Sequence, residues 1–219
     1  MPEPLNDARL RRAVAQLAKR SPELRDIRDR HGHPPLWQRP AGFPTLLHII
    51  LEQQVSIASA RAAFDRLLAL LRPLTPGGFL ALDDSQLRAV GFSRQKIGYS
   101  RGLATAIVER RLSLGRIARL EDDPAREQLI ALRGIGRWSA DIYLLMALGR
   151  PDIWPQGDLA LAQAMREVLG LEQRPTHDEQ LAISAAWKPW RAVAARLLWH
   201  HYLSTPRMRP MRAVSLRSA

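Results

Sequence analysis

The sequence predicts an all-α fold. Apolar residues recur every three to four positions along most of the chain, clusters of Pro and Gly interrupt that rhythm at short intervals, and no stretch alternates β-branched with polar residues. Helical periodicity begins near Leu5, and Leu10, Val14 and Leu17 form the first apolar stripe. Pro34–Pro35, Pro40 and Gly42 stop the chain before a second stripe, Leu46, Ile49 and Ile50. A third stripe, Ile57, Phe64, Leu67, Leu68 and Leu71, runs up to the strong stops at Pro73 and Pro76-Gly77-Gly78. After Gly91, further helices are expected at 93–110, 124–131, 137–148, 159–169, 178–186 and 189–203. The total is about ten helices with short connections and no internal repeat. From Thr205 the periodicity is lost and four arginines follow, so 205–219 is expected to be a flexible basic tail adding non-specific electrostatic affinity.

With 219 residues, the chain is compatible with one large domain or two closely packed lobes, and 46% hydrophobic residues suffice for a core. The net charge is +12, and 30 of the 33 cationic residues are arginine; only Lys19, Lys96 and Lys188 are lysine. A G+C-rich genome would favour arginine over lysine but does not explain the excess of cations over carboxylates. That excess points to a polyanion, nucleic acid first and an acidic membrane surface second. Arginine suits phosphate because its planar fork donates two hydrogen bonds to one group. The absence of cysteine excludes disulfides, thiol nucleophiles and thiolate-bound zinc or iron–sulfur clusters. No signal peptide and no apolar run of about 20 residues is found, so a soluble, cytoplasmic protein is expected. His31/His33 and His200/His201 do not form a transition-metal set and are read as surface or packing residues.

The most specific stretch is Leu132-Arg133-Gly134-Ile135-Gly136-Arg137-Trp138-Ser139-Ala140. Two glycines around an apolar residue allow a tight turn that aims backbone N–H groups outward at the start of the next helix. Such donors, aided by the helix dipole, hold a phosphate without reading any base. Ile135 would plug the turn into the core. Taken alone, the pattern fits a plain αα-hairpin as well.

Four stretches in order resemble the helix-hairpin-helix DNA glycosylase superfamily, and within it the 3-methyladenine DNA glycosylase II branch. They are Ile50–Ser56, Gly91–Lys96, the hairpin Leu132–Arg137 followed by Pro155–Asp158, and Trp187–Arg191 with Trp199. The likeness spans roughly residues 43–203. It describes a short form without the branch's N-terminal β-rich domain. It implies two helical lobes flanking a DNA-binding cleft, 42–150 carrying the hairpin and 1–41 plus 151–204 carrying the catalytic aspartate.

In that family the aspartate at this distance from the hairpin is the catalytic carboxylate, which here is Asp158. The chemistry agrees. Breaking an N-glycosidic bond builds positive charge on the sugar, and a carboxylate beneath the ring stabilises that charge and activates a water. An N-alkylated purine already carries positive charge, so no second carboxyl is needed to protonate it. Asp158 also suits the N-cap of the helix beginning at Leu159, and the two roles are compatible. Of the competing acids Asp141 and Glu52, Asp141 is expected to pair with Arg137 one turn earlier. Strand-cleaving relatives carry a nucleophilic lysine two residues after the second hairpin glycine, where this chain has Trp138, so a monofunctional enzyme is expected.

The resemblance further implies a base pocket with Trp138, Trp199, Gln53 and Ile142, Ile142 standing where some members carry tyrosine. Tryptophan faces would favour cationic alkylated purines of the 3-methyladenine and 7-methylguanine class. Trp187 and Trp190 are read as core. DNA contacts are implied for Gln54, which replaces a common leucine wedge, and for Ser56, Lys96, Gly134, Gly136 and Arg137. No cofactor is required. A Na+ or K+ ion held by main-chain carbonyls near Ile130, Leu132 and Ile135 is a further implication. The expected partner is double-stranded DNA containing damaged bases, bound by a monomer, with no membrane. The alternatives are a relative acting on oxidised or deaminated bases, a non-catalytic hairpin DNA-binding module, and a helix-turn-helix regulator, for which no dimerisation signal is found.

Overall fold

The computed structural model describes residues 3–206, and among them every regular element is helical. Helix α1 (Asp7–Arg20) opens where the Asn6 side chain accepts from Arg9 N at 2.9 Å, and it buries Leu10, Ala13, Val14 and Leu17. Ser21 ends α1 and caps α2 (Pro22–His31), whose first turn holds Pro22 where no N–H is missed. Gly32, at φ 81°, ends α2, and residues 33–42 carry no regular element. Then come α3 (Phe43–Glu52), α4 (Ile57–Leu70), α5 (Pro76–Ala81), α6 (Asp84–Ala89), α7 (Arg94–Val108), α8 (Leu114–Ile117) and α9 (Asp122–Ile130). Helix α10 (Arg137–Ile142) continues into a π turn at Tyr143–Ala147. It is followed by α11 (Leu159–Val168), α12 (His177–Ser184), a 3-10 turn at Ala185–Trp187 and α13 (Arg191–Ser204).

Thirteen α-helices replace the expected ten among the described residues. The additions α5, α6 and α8 are one- or two-turn helices too short to show a stripe, and caps define each of them. Thr75 accepts from Gly78 N, Asp83 and Gln86 form a reciprocal capping box, and Ser113 accepts from Arg116 N. Pro76-Gly77-Gly78, taken from sequence as a stop, instead opens α5, because Pro at the first helical position is favourable. The helix expected at 137–148 departs from α geometry at Tyr143, where Leu148 N reaches back five residues to Tyr143 O at 3.2 Å. The expected basic tail lies, from Arg207 onward, outside the described residues.

Helix α3 is apolar nearly all round, burying Phe43, Leu46, Leu47, Ile49, Ile50 and Leu51, and so lies inside the molecule. It packs on α4, α7, α10 and the π turn, while α5 and α6 lie on α7 and α9 lies on α10. Helices α1, α2, α11 and α13 pack on one another, with α13 buried from Ala192 to Trp199. One continuous apolar cluster runs through both groups. The hairpin belongs to the first group and the N-terminus of α11 to the second. Leu5 N donates to Gly149 O at 2.7 Å, and Asp152 pairs in bidentate fashion with Arg191 at 3.0 Å, so the seam is tied at two points just before the 153–158 loop.

Candidate active site and nucleic-acid interface

The hairpin joins α9 to α10. Gly134 adopts φ 92°, and a Cβ there would stand 2.1 Å from the Tyr99 ring, so the turn lies directly on α7 and only glycine fits. Ile135 is buried, as expected, and its N–H donates to Leu132 O at 3.0 Å. Gly136 is exposed and caps α10 without a side-chain bond, and a Cβ there would meet open space. The first N–H groups of α10 are therefore not occupied by a capping side chain, and exposed Arg133 and Arg137 flank them. The legs are held by Asp141, whose side chain is 1% exposed and accepts from Arg126 Nε at 2.6 Å. The partner expected from helical spacing was Arg137; Arg126 on the facing helix takes that place, and Asp123 also pairs with Arg126. Burial pushes the Asp141 carboxyl above its usual range, against the opposing pull of Arg126.

Gln53, at the end of α3, donates through Nε2 to Gly134 O at 2.8 Å and to Ser139 Oγ at 2.9 Å. It therefore sits on the hairpin. Lys96 donates to Leu51 O at 2.6 Å, tying the start of α7 to the last turn of α3, and burial lowers its pKa. Between these anchors, residues 54–57 are exposed. Gln54 is exposed at φ 57°, and Ser56 caps α4 by accepting from Ser59 N at 3.2 Å. Val55 is 44% exposed and Ile57 71%. Ile57, which sequence spacing assigned to a core stripe, is thus a surface residue.

Asp158 terminates the Pro155-Gln156-Gly157 loop and caps α11, its Oδ1 accepting from Leu161 N at 2.9 Å. Two indoles complete its shell: Trp199 Nε1 reaches Oδ1 at 3.3 Å, and Trp138 Nε1 reaches Oδ2 at 3.0 Å. The carboxylate is thus gripped by the first turn of α10, the first turn of α11 and the middle of α13. An ionised carboxylate offers roughly four lone-pair directions, and three are taken by these donors, leaving capacity for a water or substrate. Trp199 in turn meets Trp37, with centroids 6.4 Å apart at 76°. Leu159, beside Asp158, is 72% exposed.

Asp158, Trp138 and Trp199 are thus brought together from three elements. The loop at Gln54 and Ser56 and the hairpin at Gly134, Gly136 and Arg137 are joined to each other through Gln53. Ile142 lies in the core, as does Tyr143, whose hydroxyl accepts from Gly42 N at 3.1 Å. Glu52 is bound in bidentate fashion by Arg39 at 2.7 and 2.9 Å. Trp187 is buried against Trp154, whereas half-buried Trp190 donates to Gln16 Oε1 at 2.7 Å on α1. His31, His200 and His201 form an edge-on ring cluster, and no group of three or more His, Asp or Glu side chains among the described residues is arranged to hold a metal. Trp37, Val55 and Leu159 were not singled out from sequence. Trp37 sits in a Pro-rich segment without periodicity, and an apolar residue's exposure leaves no mark in spacing.

Residues 47–192 match the HhH-GPD superfamily of base excision DNA repair proteins, and the chain belongs to that superfamily. A putative DNA-3-methyladenine glycosylase, YfjP, of Bacillus subtilis is 28% identical over 80% of this chain and 64% of its own length. DNA-3-methyladenine glycosylase 1 of Schizosaccharomyces pombe is 30% identical over 72% of this chain and 71% of its own. The chain therefore spans somewhat under two thirds of the Bacillus subtilis relative. Among solved structures, the Schizosaccharomyces pombe enzyme in complex with abasic DNA has a TM-score of 0.76 at 25% identity, covering 86% of this chain and 95% of that one. A DNA-3-methyladenine glycosidase from Bacillus halodurans has a TM-score of 0.76 at 28% identity, covering 90% and 91%.

Proposed function

We propose that the protein is a monofunctional DNA glycosylase of the 3-methyladenine glycosylase II type, hydrolysing the N-glycosidic bond of alkylated purines. The observation that carries this reading is the Asp158 carboxylate held between two indole N–H groups beside the hairpin. Relatives and solved neighbours named 3-methyladenine glycosylases support the substrate class.

In this reading the N–H groups at the start of α10, with Gly134, Gly136 and Arg137, grip a phosphate of double-stranded DNA. The lobes 42–150 and 1–41 plus 151–204 flank the duplex. Gln54, at the tip of its loop, fills the space left by the flipped nucleotide, with Val55 and Ile57 against the exposed bases. The extruded cationic base lies against the Trp138 and Trp199 indoles, an interaction of about 0.5–2 kcal/mol depending on desolvation. Asp158 faces the sugar, stabilises the charge that develops as the bond to the base breaks, and orients the attacking water. Trp138 stands where a nucleophilic lysine would form a Schiff base, so strand cleavage does not follow base release. Carbonyl oxygens near Ile130, Leu132 and Ile135 have the donor chemistry for Na+ or K+, which would add positive charge near the phosphate. The protein would act as a monomer in the cytoplasm, nucleoid-associated if its source is bacterial. No helix among the described residues is long and apolar enough to cross a membrane.

Duplexes carrying 7-methylguanine, hypoxanthine or 8-oxoguanine test the assignment. Release of the methylated base without a borohydride-trapped adduct is expected. Preferred release of 8-oxoguanine, or a covalent adduct, would contradict it.

A further inference from the structure

The indole of Trp199 is braced from a distant part of the chain. Trp37 meets it in the T-shaped arrangement that aromatic pairs favour and also meets the His200 ring, with centroids 6.4 Å apart at 67°. The Trp37 backbone sits at φ 47°, a left-handed conformation that a bulky residue keeps only where its surroundings over-determine it. Those surroundings are bonds on both sides. Leu36 O accepts from Arg196 Nε at 2.9 Å, His31 O meets His200 Nε2 at 2.9 Å, and Arg39 N donates to Met146 O at 2.9 Å.

Arg196 is the pin of this arrangement. It is 1% exposed, and its guanidinium also donates to Ala192 O and Leu145 O, at 3.1 and 3.0 Å. Burial lowers its pKa to about 10. It lies one turn before Trp199 on α13, so the residue it fixes, Leu36, sets its neighbour Trp37 beside Trp199. Both tryptophans lie outside residues 47–192, so the family match covers neither.

We propose that Trp37 is a positioning residue for base excision. Through its contact with Trp199 it holds that indole with Nε1 on Asp158 and its ring against the extruded base. The proposal rests on the reading of Asp158 and Trp199 as the active site. Packing alone would make Trp37 matter for stability regardless of what stands at position 199. A positioning role makes its effect vanish when Trp199 is gone.

The experiment is a double-mutant cycle in the full chain, with Trp37→Ala, Trp199→Ala and the pair, plus Trp37→Phe. It reads single-turnover release of 7-methylguanine over a range of enzyme concentrations, which separates duplex affinity from the excision rate, alongside a thermal melt. Trp37→Ala should slow excision about three- to tenfold while duplex affinity stays within about twofold, and Trp37→Phe should recover most of the rate. In the Trp199→Ala background, Trp37→Ala should cost nothing further. An equal loss in both backgrounds, or an unchanged rate, overturns the proposal. If Trp37→Ala does not fold, the same cycle is run with Trp37→Leu. If Trp199→Ala itself leaves excision intact, the reading of the site fails as well; Trp199 dependence with indifference to Trp37 removes only the brace.

Discussion

Gly134 and Gly136 look alike in the sequence, yet they do different work. A methyl group at Gly134 would overlap the Tyr99 ring and strain a backbone at φ 92°, whereas one at Gly136 would point into open space at φ −82°. Gly134→Ala is expected to lower stability by on the order of 2–3 kcal/mol, and Gly136→Ala by no more than about 1 kcal/mol, as read by urea denaturation. Equal losses would show that the hairpin does not rest on α7 as described. Asp158 was legible twice over, as an N-cap and as the carboxylate beyond the hairpin, and the structure shows its cap together with the two indoles. The partner of Asp141 was not legible, because spacing along one helix says nothing of Arg126 on the next. Trp37 was hidden for the same reason, its partner lying most of the chain away.

The elements divide by what specifies them. Stripes long enough to cover a buried face, as in α1 and α3, were legible, because burial imposes the period that the sequence displays. The short α5, α6 and α8 depend on caps and proline placement, and a π turn follows from packing that no local pattern records. The helix pair around the hairpin depends on the Arg126–Asp141 bridge, which is buried on both sides. Asp141→Ala leaves a largely buried guanidinium with only the exposed Asp123 carboxylate, so unfolding free energy should fall by about 3 kcal/mol. DNA affinity should fall with it as the hairpin loosens. A loss under about 1 kcal/mol would mean that packing alone orients the legs.

At the scale of the whole molecule, a net charge of +12 points to a polyanionic partner but not to the face that would meet it. If about five or six phosphates are neutralised, log affinity for duplex DNA should fall against log salt with a slope of about −4 to −6; a flat dependence would remove the phosphate grip. A second global property follows from His48, which stacks on Phe64 at 4.3 Å and faces Glu52, Arg39, Arg61 and Asp65. Burial lowers its pKa below the ordinary 6.5, outweighing Glu52. The unfolded chain therefore binds the proton more readily, so this contribution to stability is complete above pH 6.5 and is lost as pH falls through the lowered value. The melting temperature should drop on acidification from about pH 7.5 to about 5.5, and less so in His48→Phe. An identical slope in both proteins would assign the acid sensitivity elsewhere.

The most direct measurement is single-turnover release of 7-methylguanine from duplex DNA by Asp158→Asn, with duplex affinity measured in parallel. The substitution keeps Oδ1 as the acceptor for Leu161 N and Trp199 Nε1, turns an amide NH2 toward Trp138 Nε1 in place of Oδ2, and removes the negative charge. The account predicts that excision falls by about a thousandfold or more while affinity stays within about threefold. Base release at the unaltered rate would contradict it.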